Sequence, residues 1–299
     1  MDYVANVNYF SRYIKNPRAL YYYVNKAIRH IGLRDRLFQL IRLLVPKAPV
    51  TTPAELEQLK KEGMIFWPEC IDAAALEQLR HYFGDKPVFD IRDLAQTPVD
   101  IAGIHNKTTM KLKYFPADIA RCDAIVRIAN DAKILSLVTA YFGCKPTISI
   151  MDAWWTKTGI HTSEALFQDD MYHRDVEDFK FIKLFIYLTD VIPENGAHCF
   201  VRGSHIAPEL TARGALADET VAGVFKAEDR LTLTGKAGSG FLEDTFGLHR
   251  SLPAKLGDRL LLSVTYSLTS FNPQSPVKPV APLRMGVDPY INRVYLHRG

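Results

Sequence analysis

FQDDMYHRD, residues 167–175, decides the fold assignment, because it ends in a histidine and an aspartate two positions apart. Side chains two apart in an extended segment point to the same face, so His173 and Asp175 can grip one cation. A second stretch, DTFGLHRS at residues 244–251, supplies a distant histidine, His249. Together the two stretches predict a metal site with two imidazoles and one carboxylate.

Such a donor set occupies one face of an octahedral metal and leaves three positions open. It suits iron(II) oxygenases, in which a bidentate co-substrate and dioxygen bind together. Arg259, ten residues after His249, opens the strand-like run RLLLSVTY. Its planar, permanently charged fork can hold a carboxylate with two hydrogen bonds, such as the far carboxylate of 2-oxoglutarate. The residues therefore predict a carboxylate-binding side chain near the metal.

The same His-Arg-Asp triplet opens the catalytic loop of protein kinases, and this alternative fails. A kinase requires an asparagine five residues after the aspartate, where this chain has Lys180. The sequence also contains no Gly-rich nucleotide loop and no Asp-Phe-Gly triplet. An isolated His-x-Asp is more often a turn than a metal site, so the metal assignment depends on the other elements.

Around these motifs the chain changes from helical to strand-like. The periodicity predicts helices at 18–45 with an interruption at Gly32, at 53–62 with Thr52 as N-cap, and at 72–83, 117–130 and 131–142. Strands are predicted at 64–67, 147–155, 180–188, 198–201, 230–234, 240–243 and 259–266. Helices followed by many short strands indicate an α+β chain with a β-sandwich or jelly-roll core and flanking helices.

The order of five elements resembles the phytanoyl-CoA dioxygenase family of Fe(II)/2-oxoglutarate-dependent oxygenases over about residues 60–270. The elements are His173-x-Asp175, KLFIYLTD at 183–190, Glu194-Asn-Gly196 leading to Gly203-Ser-His205, His249-x-Ser251, and Arg259. The resemblance implies a double-stranded β-helix of cupin type and Fe(II) bound by His173, Asp175 and His249. It further implies 2-oxoglutarate held by Arg259 and touched by Ser251. The ten-residue spacing to Arg259 is at the short end for such proteins.

The resemblance implies an O2-dependent reaction that releases succinate and CO2 and hydroxylates an aliphatic C–H bond of a small-molecule, sugar or lipid-linked substrate. Related halogenases have a small residue in place of Asp175, so the carboxylate favours hydroxylation. Desaturation, cyclisation and epimerisation stay open. Two other functions remain: a cupin-type isomerase or hydrolase using zinc or manganese, and a non-catalytic jelly-roll binding protein.

Other polar and aromatic residues near the motifs have two interpretations each. Trp154, Trp155 and Lys157 can line the substrate or co-substrate site, although core packing is the better interpretation for at least one tryptophan. Gln168 faces either the site or solvent. His205, in its Gly-Ser-His loop, is expected to be structural and to cap the end of a strand. The irregular segments 157–171 and 204–229 are candidate lids.

The composition is that of an ordinary globular protein with a sizeable core, since 47% of the 299 residues are hydrophobic and 23% charged. The four cysteines form no CxxC pair, which predicts free thiols rather than disulfides or a zinc site. We find neither a signal peptide nor an apolar run of membrane-spanning length, so a cytoplasmic protein is expected.

Basic residues are concentrated at the N-terminus, where residues 1–48 hold nine lysines and arginines against two aspartates. The rest of the chain is close to neutral, which argues against a nucleic-acid partner. The proline-rich stretch 46–53 predicts a linker between a basic helical extension (1–48) and an oxygenase domain (49–299). The extension either packs on the core with a solvated face or, through residues 10–45, contacts anionic lipid at the inner face of a membrane.

Overall fold

The computed structural model describes residues 17–49, 51–93, 95–101, 111–158, 171–211, 214–272, 274–276 and 278–297. Gln168, most of the candidate lid at 157–171 and residues 10–16 of the candidate membrane-contacting stretch lie outside these ranges. Among the described helices, none has the length and apolar character needed to cross a membrane.

The predicted N-terminal helical run consists of two helices, α1 (Pro17–Ala27) and α2 (Ile31–Ile41), followed by a 3₁₀ turn at Arg42–Leu44. The break falls at residues 28–30, before the expected position, because the His30 side chain caps α2 by accepting a hydrogen bond from the Leu33 amide at 3.3 Å. Gly32 lies inside the first turn of α2. The interruption was therefore predicted correctly and placed wrongly.

Six further helices lie before and between the strands: α3 (Leu56–Glu62), α4 (Ala73–Gly84), α5 (Pro116–Arg121), α6 (Asp123–Ala129), α7 (Ala132–Phe142) and α8 (Asp218–Ala222). The Thr52 cap was wrong, since Glu55 precedes the first residue of α3. The single helix expected at 117–130 is divided at Cys122, whose extended backbone (φ −76°, ψ 110°) ends α5 and begins α6.

The β-structure forms two antiparallel sheets. The large sheet has the order β1-β8-β5-β10-β4-β3-β2 and the small sheet the order β7-β6-β9. The strands of the large sheet are β1 (Met64–Trp67), β2 (Val88–Asp90), β3 (Lys111–Tyr114), β4 (Thr147–Thr156), β5 (Phe181–Tyr187), β8 (Gly240–Glu243) and β10 (Arg259–Ser267). The small sheet comprises β6 (His198–Val201), β7 (Arg230–Leu233) and β9 (His249–Ser251), and a short parallel pair joins β11 (Ala281–Pro282) to β12 (Leu296–His297).

The two faces of the large sheet pack against different partners. On β10, Leu260, Leu262 and Val264 join the main hydrophobic cluster with the helices. Leu261, on the opposite face, joins a smaller cluster that includes Phe200 of the small sheet. Each fully buried aliphatic side chain contributes about 1.5–3 kcal/mol. The space between the two sheets is therefore a second, smaller interior, and the candidate site lies in it.

The N-terminal helices pack on the body through apolar and polar contacts, with Phe38 in the main hydrophobic cluster. The Arg34 guanidinium is buried, donates to the carbonyl oxygens of Asn25 and Asp178, and lies over the Phe246 ring at 4.4 Å. The Tyr21 hydroxyl donates to Asp178 Oδ1 at 2.6 Å. The division of the chain at residue 48 stays a prediction. All four cysteines are free, as predicted.

Candidate metal centre

His173, Asp175 and His249 form a cluster whose ligand atoms all lie within 4.8 Å of one another. His173 precedes the sheet in an extended segment and pairs with His249 at the start of β9 through two backbone hydrogen bonds of 2.9 and 3.1 Å. The Asp175 amide donates to the Thr245 carbonyl at 2.9 Å. These bonds tie the two distant stretches together and hold the three side chains on one face.

The Nδ1 atoms of the two histidines lie within hydrogen-bonding distance of backbone carbonyls. Nδ1 of His173 is 2.9 Å from the Met171 oxygen, and Nδ1 of His249 is 3.0 Å from the Gly247 oxygen. With a proton on each Nδ1 to donate, both Nε2 atoms carry their lone pairs towards Asp175, at 3.8 and 3.5 Å from its two carboxylate oxygens. This arrangement fixes the imidazole tautomer that binds a metal.

The donor set fits a divalent metal ion. With bonds of about 2.1 Å, neighbouring ligand atoms lie about 3 Å apart, so small side-chain movements close the observed distances onto one ion. The two nitrogens and one carboxylate also have the chemistry of an iron(II) site with open positions. Within the described part of the chain, this is the cluster of His, Cys, Asp and Glu side chains with such geometry.

Lys183 of β5 lies beside the metal ligands and was not recognised as part of the site from the sequence. Its ammonium is 2.6 Å from Asp175 Oδ2 and 3.2 Å from Glu177 Oε1, and Asn272 donates to the other oxygen of Glu177 at 2.5 Å. Burial on its own would raise the pKa of Asp175, but Lys183, His249 and His173 hold it well below its usual range. Asp175 is therefore ionised and ready to bind a cation.

A cavity of about 300 Å³ opens from the triad. Phe185, Leu261, His198 and Trp154 form its apolar and aromatic wall, and charged side chains from β3, β4 and the segment after Asp175 line the rest: Lys111, Lys113, Asp152 and Glu177. Successive side chains of β5 point to opposite faces of the sheet. The structure assigns the face of Lys183 and Phe185 to the cavity and that of Leu184 and Ile186 to the main core.

The two residues expected to hold the co-substrate differ in their position. Ser251 lines the cavity. Arg259 is fully buried on the same face of β10 as Leu261, one step further from the metal ligands, and donates to the Gly196 carbonyl and to Thr156 Oγ1 at 3.2 Å. Leu261 lines the cavity, whereas the Arg259 guanidinium bonds to Gly196 and Thr156, and the co-substrate roles of Ser251 and Arg259 stay predictions.

The other residues considered from the sequence divide between the cavity and the core. Trp154 lines the cavity, whereas the Trp155 indole donates to Tyr114 and packs on the main cluster. Lys157 pairs with Asp258. His205 lies outside the triad, and its Nε2 contacts the Lys60 carbonyl at 3.0 Å in the last turn of α3. Its role is structural, as expected, but it caps a helix rather than a strand.

A buried His–Glu pair behind the triad escaped the sequence analysis. His198 Nε2 of β6 lies 2.9 Å from Glu243 Oε2 of β8, and the His198 ring stacks on His249 with 5.5 Å between centroids. Burial lowers the pKa of His198 despite the nearby carboxylate. Each residue lies in a short strand whose sequence carries no recognisable motif. Only the packing of the two sheets brings the two side chains together.

No protein-family model and no curated protein matches the sequence, and membership of the phytanoyl-CoA dioxygenase family stays a prediction. Among solved structures, EctD from S. alaskensis with 2-oxoglutarate and 5-hydroxyectoine is 16% identical, over 83% of this chain and 88% of that chain, with a TM-score of 0.52. HygX from Streptomyces hygroscopicus with nickel, 2-oxoglutarate and hygromycin B is 15% identical over 83% and 98%, with a TM-score of 0.47. The non-heme alpha ketoglutarate dependent epimerase SnoN from nogalamycin biosynthesis is 20% identical over 72% and 81%, with a TM-score of 0.48. The chain therefore shares its fold with EctD.

Proposed function

We propose that this chain is an Fe(II)/2-oxoglutarate-dependent dioxygenase of the phytanoyl-CoA dioxygenase family. The observation that carries the proposal is the triad His173, Asp175 and His249, in which hydrogen bonds at both Nδ1 atoms turn both Nε2 atoms towards an ionised carboxylate, so that one metal ion can be held between them. Its reaction would hydroxylate an aliphatic C–H bond of a small-molecule, sugar or lipid-linked substrate.

The order of the strands supports a double-stranded β-helix as the core of this enzyme. From β5 to β10 the chain moves between the sheets: β5 lies in the large sheet, β6 and β7 in the small one, β8 in the large, β9 in the small and β10 in the large. Such alternation winds the chain around the space that holds the triad. EctD, whose fold is shared, was solved with 2-oxoglutarate and 5-hydroxyectoine.

When bound, Fe(II) would supply the activation of dioxygen that is coupled to the conversion of 2-oxoglutarate to succinate and CO2. The chain's own residues have separate tasks. Lys183 holds Asp175 Oδ2 at 2.6 Å, which leaves Oδ1 for the metal. Phe185, Leu261 and Trp154 keep water away from the reacting groups. The charged residues at the mouth give polar contacts to a substrate.

For the co-substrate, Arg259 remains the proposed anchor of the far carboxylate, with Ser251 at the cavity wall as a further contact. Arg259 has the planar fork that this task requires, and it lies at the end of the inner face beyond Leu261. Lys111 and Lys113 line the same cavity, and Lys113 is paired with Asp152 at 2.8 Å. An Arg259→Ala variant that keeps full activity would favour the cupin-type isomerase or hydrolase instead.

The test is an anaerobic titration of the metal-free protein with Fe(II) and then 2-oxoglutarate, followed through the visible charge-transfer band. We expect a band that requires both additions and is absent in His173→Ala. Arg259→Ala should keep metal binding and weaken the response to 2-oxoglutarate. No band, together with tight zinc binding or none, would contradict the proposal and favour the cupin-type enzyme or the non-catalytic binding protein.

Peripheral contact with an anionic membrane through residues 10–45 is a separate proposal. It does not depend on the metal centre. Of residues 10–45, the structure describes 17–45, which form the N-terminal helices and the turn after them.

A further inference from the structure

The N-terminal helices pack one side on the body and leave apolar side chains on the other. On the inner side, Phe38 joins the main hydrophobic cluster and Arg34 is buried as well. A surface helix normally exposes polar residues to water. Here the exposed positions on α2 and in the 3₁₀ turn after it include leucines: Leu40 is 63% exposed, Leu43 75% and Leu44 87%. These leucines indicate that something other than water meets the outer side.

Exposed apolar side chains are concentrated on these two helices. Of the thirteen large apolar side chains that the described chain exposes, seven lie between residues 20 and 44, namely Leu20, Tyr23, Val24, Leu33, Leu40, Leu43 and Leu44. Isolated exposed leucines are normal on a protein surface, whereas such a concentration marks an interaction site. We call these seven residues the outer apolar face.

Charge selects the partner of this face. The exposed positions on α2 and just after it include Arg36 and Lys47. Apart from the buried Arg34, the chain has six basic residues between residues 17 and 48 against the single acid Asp35. Cationic side chains around an apolar stripe suit a surface of anionic lipid headgroups over hydrocarbon. A two-fold contact with a second copy would instead place these like charges opposite one another.

We propose that the outer apolar face docks this protein on an anionic lipid bilayer, with the leucines at the acyl boundary and the basic residues among the headgroups. The helices lie on the bilayer surface and do not span it, which agrees with their lengths of 11 residues each.

The docking face is linked to the metal centre through α1. Tyr21 of α1 bonds to Asp178, three residues after the metal ligand Asp175. The Tyr21 ring also packs edge-on against Phe179, with 5.6 Å between centroids, so the helix lies against the segment that follows Asp175. Docking through these helices would place the candidate active site near the lipid surface, where a lipid-linked substrate resides.

The experiment measures co-sedimentation of the full-length protein with vesicles of equimolar phosphatidylglycerol and phosphatidylcholine, and with vesicles of phosphatidylcholine alone. We expect binding to the anionic vesicles, weakened by salt and at least about tenfold weaker with phosphatidylcholine, since each basic residue near an anionic surface contributes about 1 kcal/mol. A Leu40→Ser, Leu43→Ser, Leu44→Ser variant should bind the anionic vesicles at least about tenfold less, because it removes roughly three buried leucine contacts.

The matched control replaces three equally exposed apolar residues elsewhere: Val224→Ser, Leu256→Ser and Met285→Ser. It should bind like the wild type, and Arg36→Glu with Lys47→Glu should bind only weakly. Because all these side chains are exposed, the variants should fold, as circular dichroism would verify. The proposal is overturned if the wild-type protein does not co-sediment with anionic vesicles, or if the leucine variant binds them as strongly as the wild type. A dimer that the leucine variant dissociates also overturns it, because the face would then belong to a second copy.

Discussion

Asp175 and Asp178 are three residues apart and both lie in the segment before β5, yet their surroundings give them opposite properties. Lys183, His249 and His173 hold the pKa of Asp175 well below its usual range, although burial on its own would raise it. Burial raises the pKa of Asp178, whose side-chain oxygens accept hydrogen bonds from Tyr21, Thr269 and two backbone amides.

The comparison indicates that nearby cations, rather than burial or the number of hydrogen bonds, decide whether a buried carboxylate is ionised. Asp175 has an ammonium at 2.6 Å and stays ionised, so it can bind a metal. Asp178 is held mainly by neutral donors, and its task is to fasten the N-terminal helices to the body. An aspartate thus serves as a candidate metal ligand at position 175 and as a structural anchor three residues later, at position 178.

The sharpest way to break this comparison is the same isosteric change at both positions. Asp175→Asn should weaken Fe(II) or Co(II) binding by more than about a hundredfold and abolish activity, since even outer-shell changes at metal sites cost 10–100-fold. Asp178→Asn should leave metal binding within about twofold of the wild type, because this side chain faces Tyr21 and Thr269 rather than the metal ligands, although an amide nitrogen cannot replace the oxygen that accepts from Thr269. Anaerobic metal titration compares the two. Similar losses in both variants would mean that Asp175 has no special role.

Removing the cation tests why the two carboxylates differ. Lys183→Met should lower the free energy of unfolding of the metal-free protein by about 2–3 kcal/mol, because it leaves Asp175 and Glu177 without a buried countercharge. A bound divalent ion replaces that charge, so metal should raise the melting temperature more in the variant than in the wild type. Thermal unfolding with and without Co(II) gives both quantities. Equal metal-induced shifts would rule out an electrostatic role for Lys183.

Asp244 is a third buried carboxylate, which lies next to a cation but is not a metal ligand. It accepts hydrogen bonds from Tyr141 at 2.7 Å and Lys180 at 3.0 Å, and these groups, with His205, lower its pKa below the ordinary value of 3.8 against the effect of burial. Asp244→Asn should cost about 1.5–2 kcal/mol at neutral pH.

Because the pKa of Asp244 is lowered in the folded protein, its contribution to stability depends on pH. A carboxyl whose folded pKa is depressed stabilises the protein fully above its unfolded pKa and loses this contribution as pH falls through the folded pKa. The difference in stability between wild type and Asp244→Asn should therefore be constant from about pH 5 to 7 and shrink below about pH 4. Urea denaturation across this range measures it. A difference that persists in acid would point to packing rather than charge.

The smallest effect is expected at the anchor of the N-terminal helices. Tyr21→Phe removes the hydroxyl that donates to Asp178 and keeps the ring contacts with Phe179 and Phe271. We expect a loss of about 1 kcal/mol, with unchanged metal binding. Hydrogen exchange of the α1 and α2 amides should increase selectively. If metal binding weakened as well, the two carboxylates would be coupled through this segment.

Much of the fold was readable from the sequence because many of its strands are β-rich runs bounded by turn residues. The strands at 64–67, 198–201 and 240–243 were predicted to the residue, whereas those at 88–90, 111–114 and 249–251 were not predicted. The errors at helix boundaries have local causes: His30 is an unusual cap, and Cys122 interrupts a continuous helical pattern by its backbone conformation. Periodicity records which side of a helix is apolar, and a single extended residue hardly changes it.

The sequence by itself determined the candidate metal ligands, because the His-x-Asp spacing needs an extended backbone and the distal histidine lies in a recognisable order of motifs. Only the tertiary structure decided their surroundings. Lys183 and Glu177 meet at Asp175, and His198 meets Glu243 behind His249, through the pairing of strands far apart in the chain. Spacing along the chain determines which side chains share one face of a strand. It does not determine which side chains of other strands pack against that face, and the electrostatic surroundings of a residue depend on those neighbours as well.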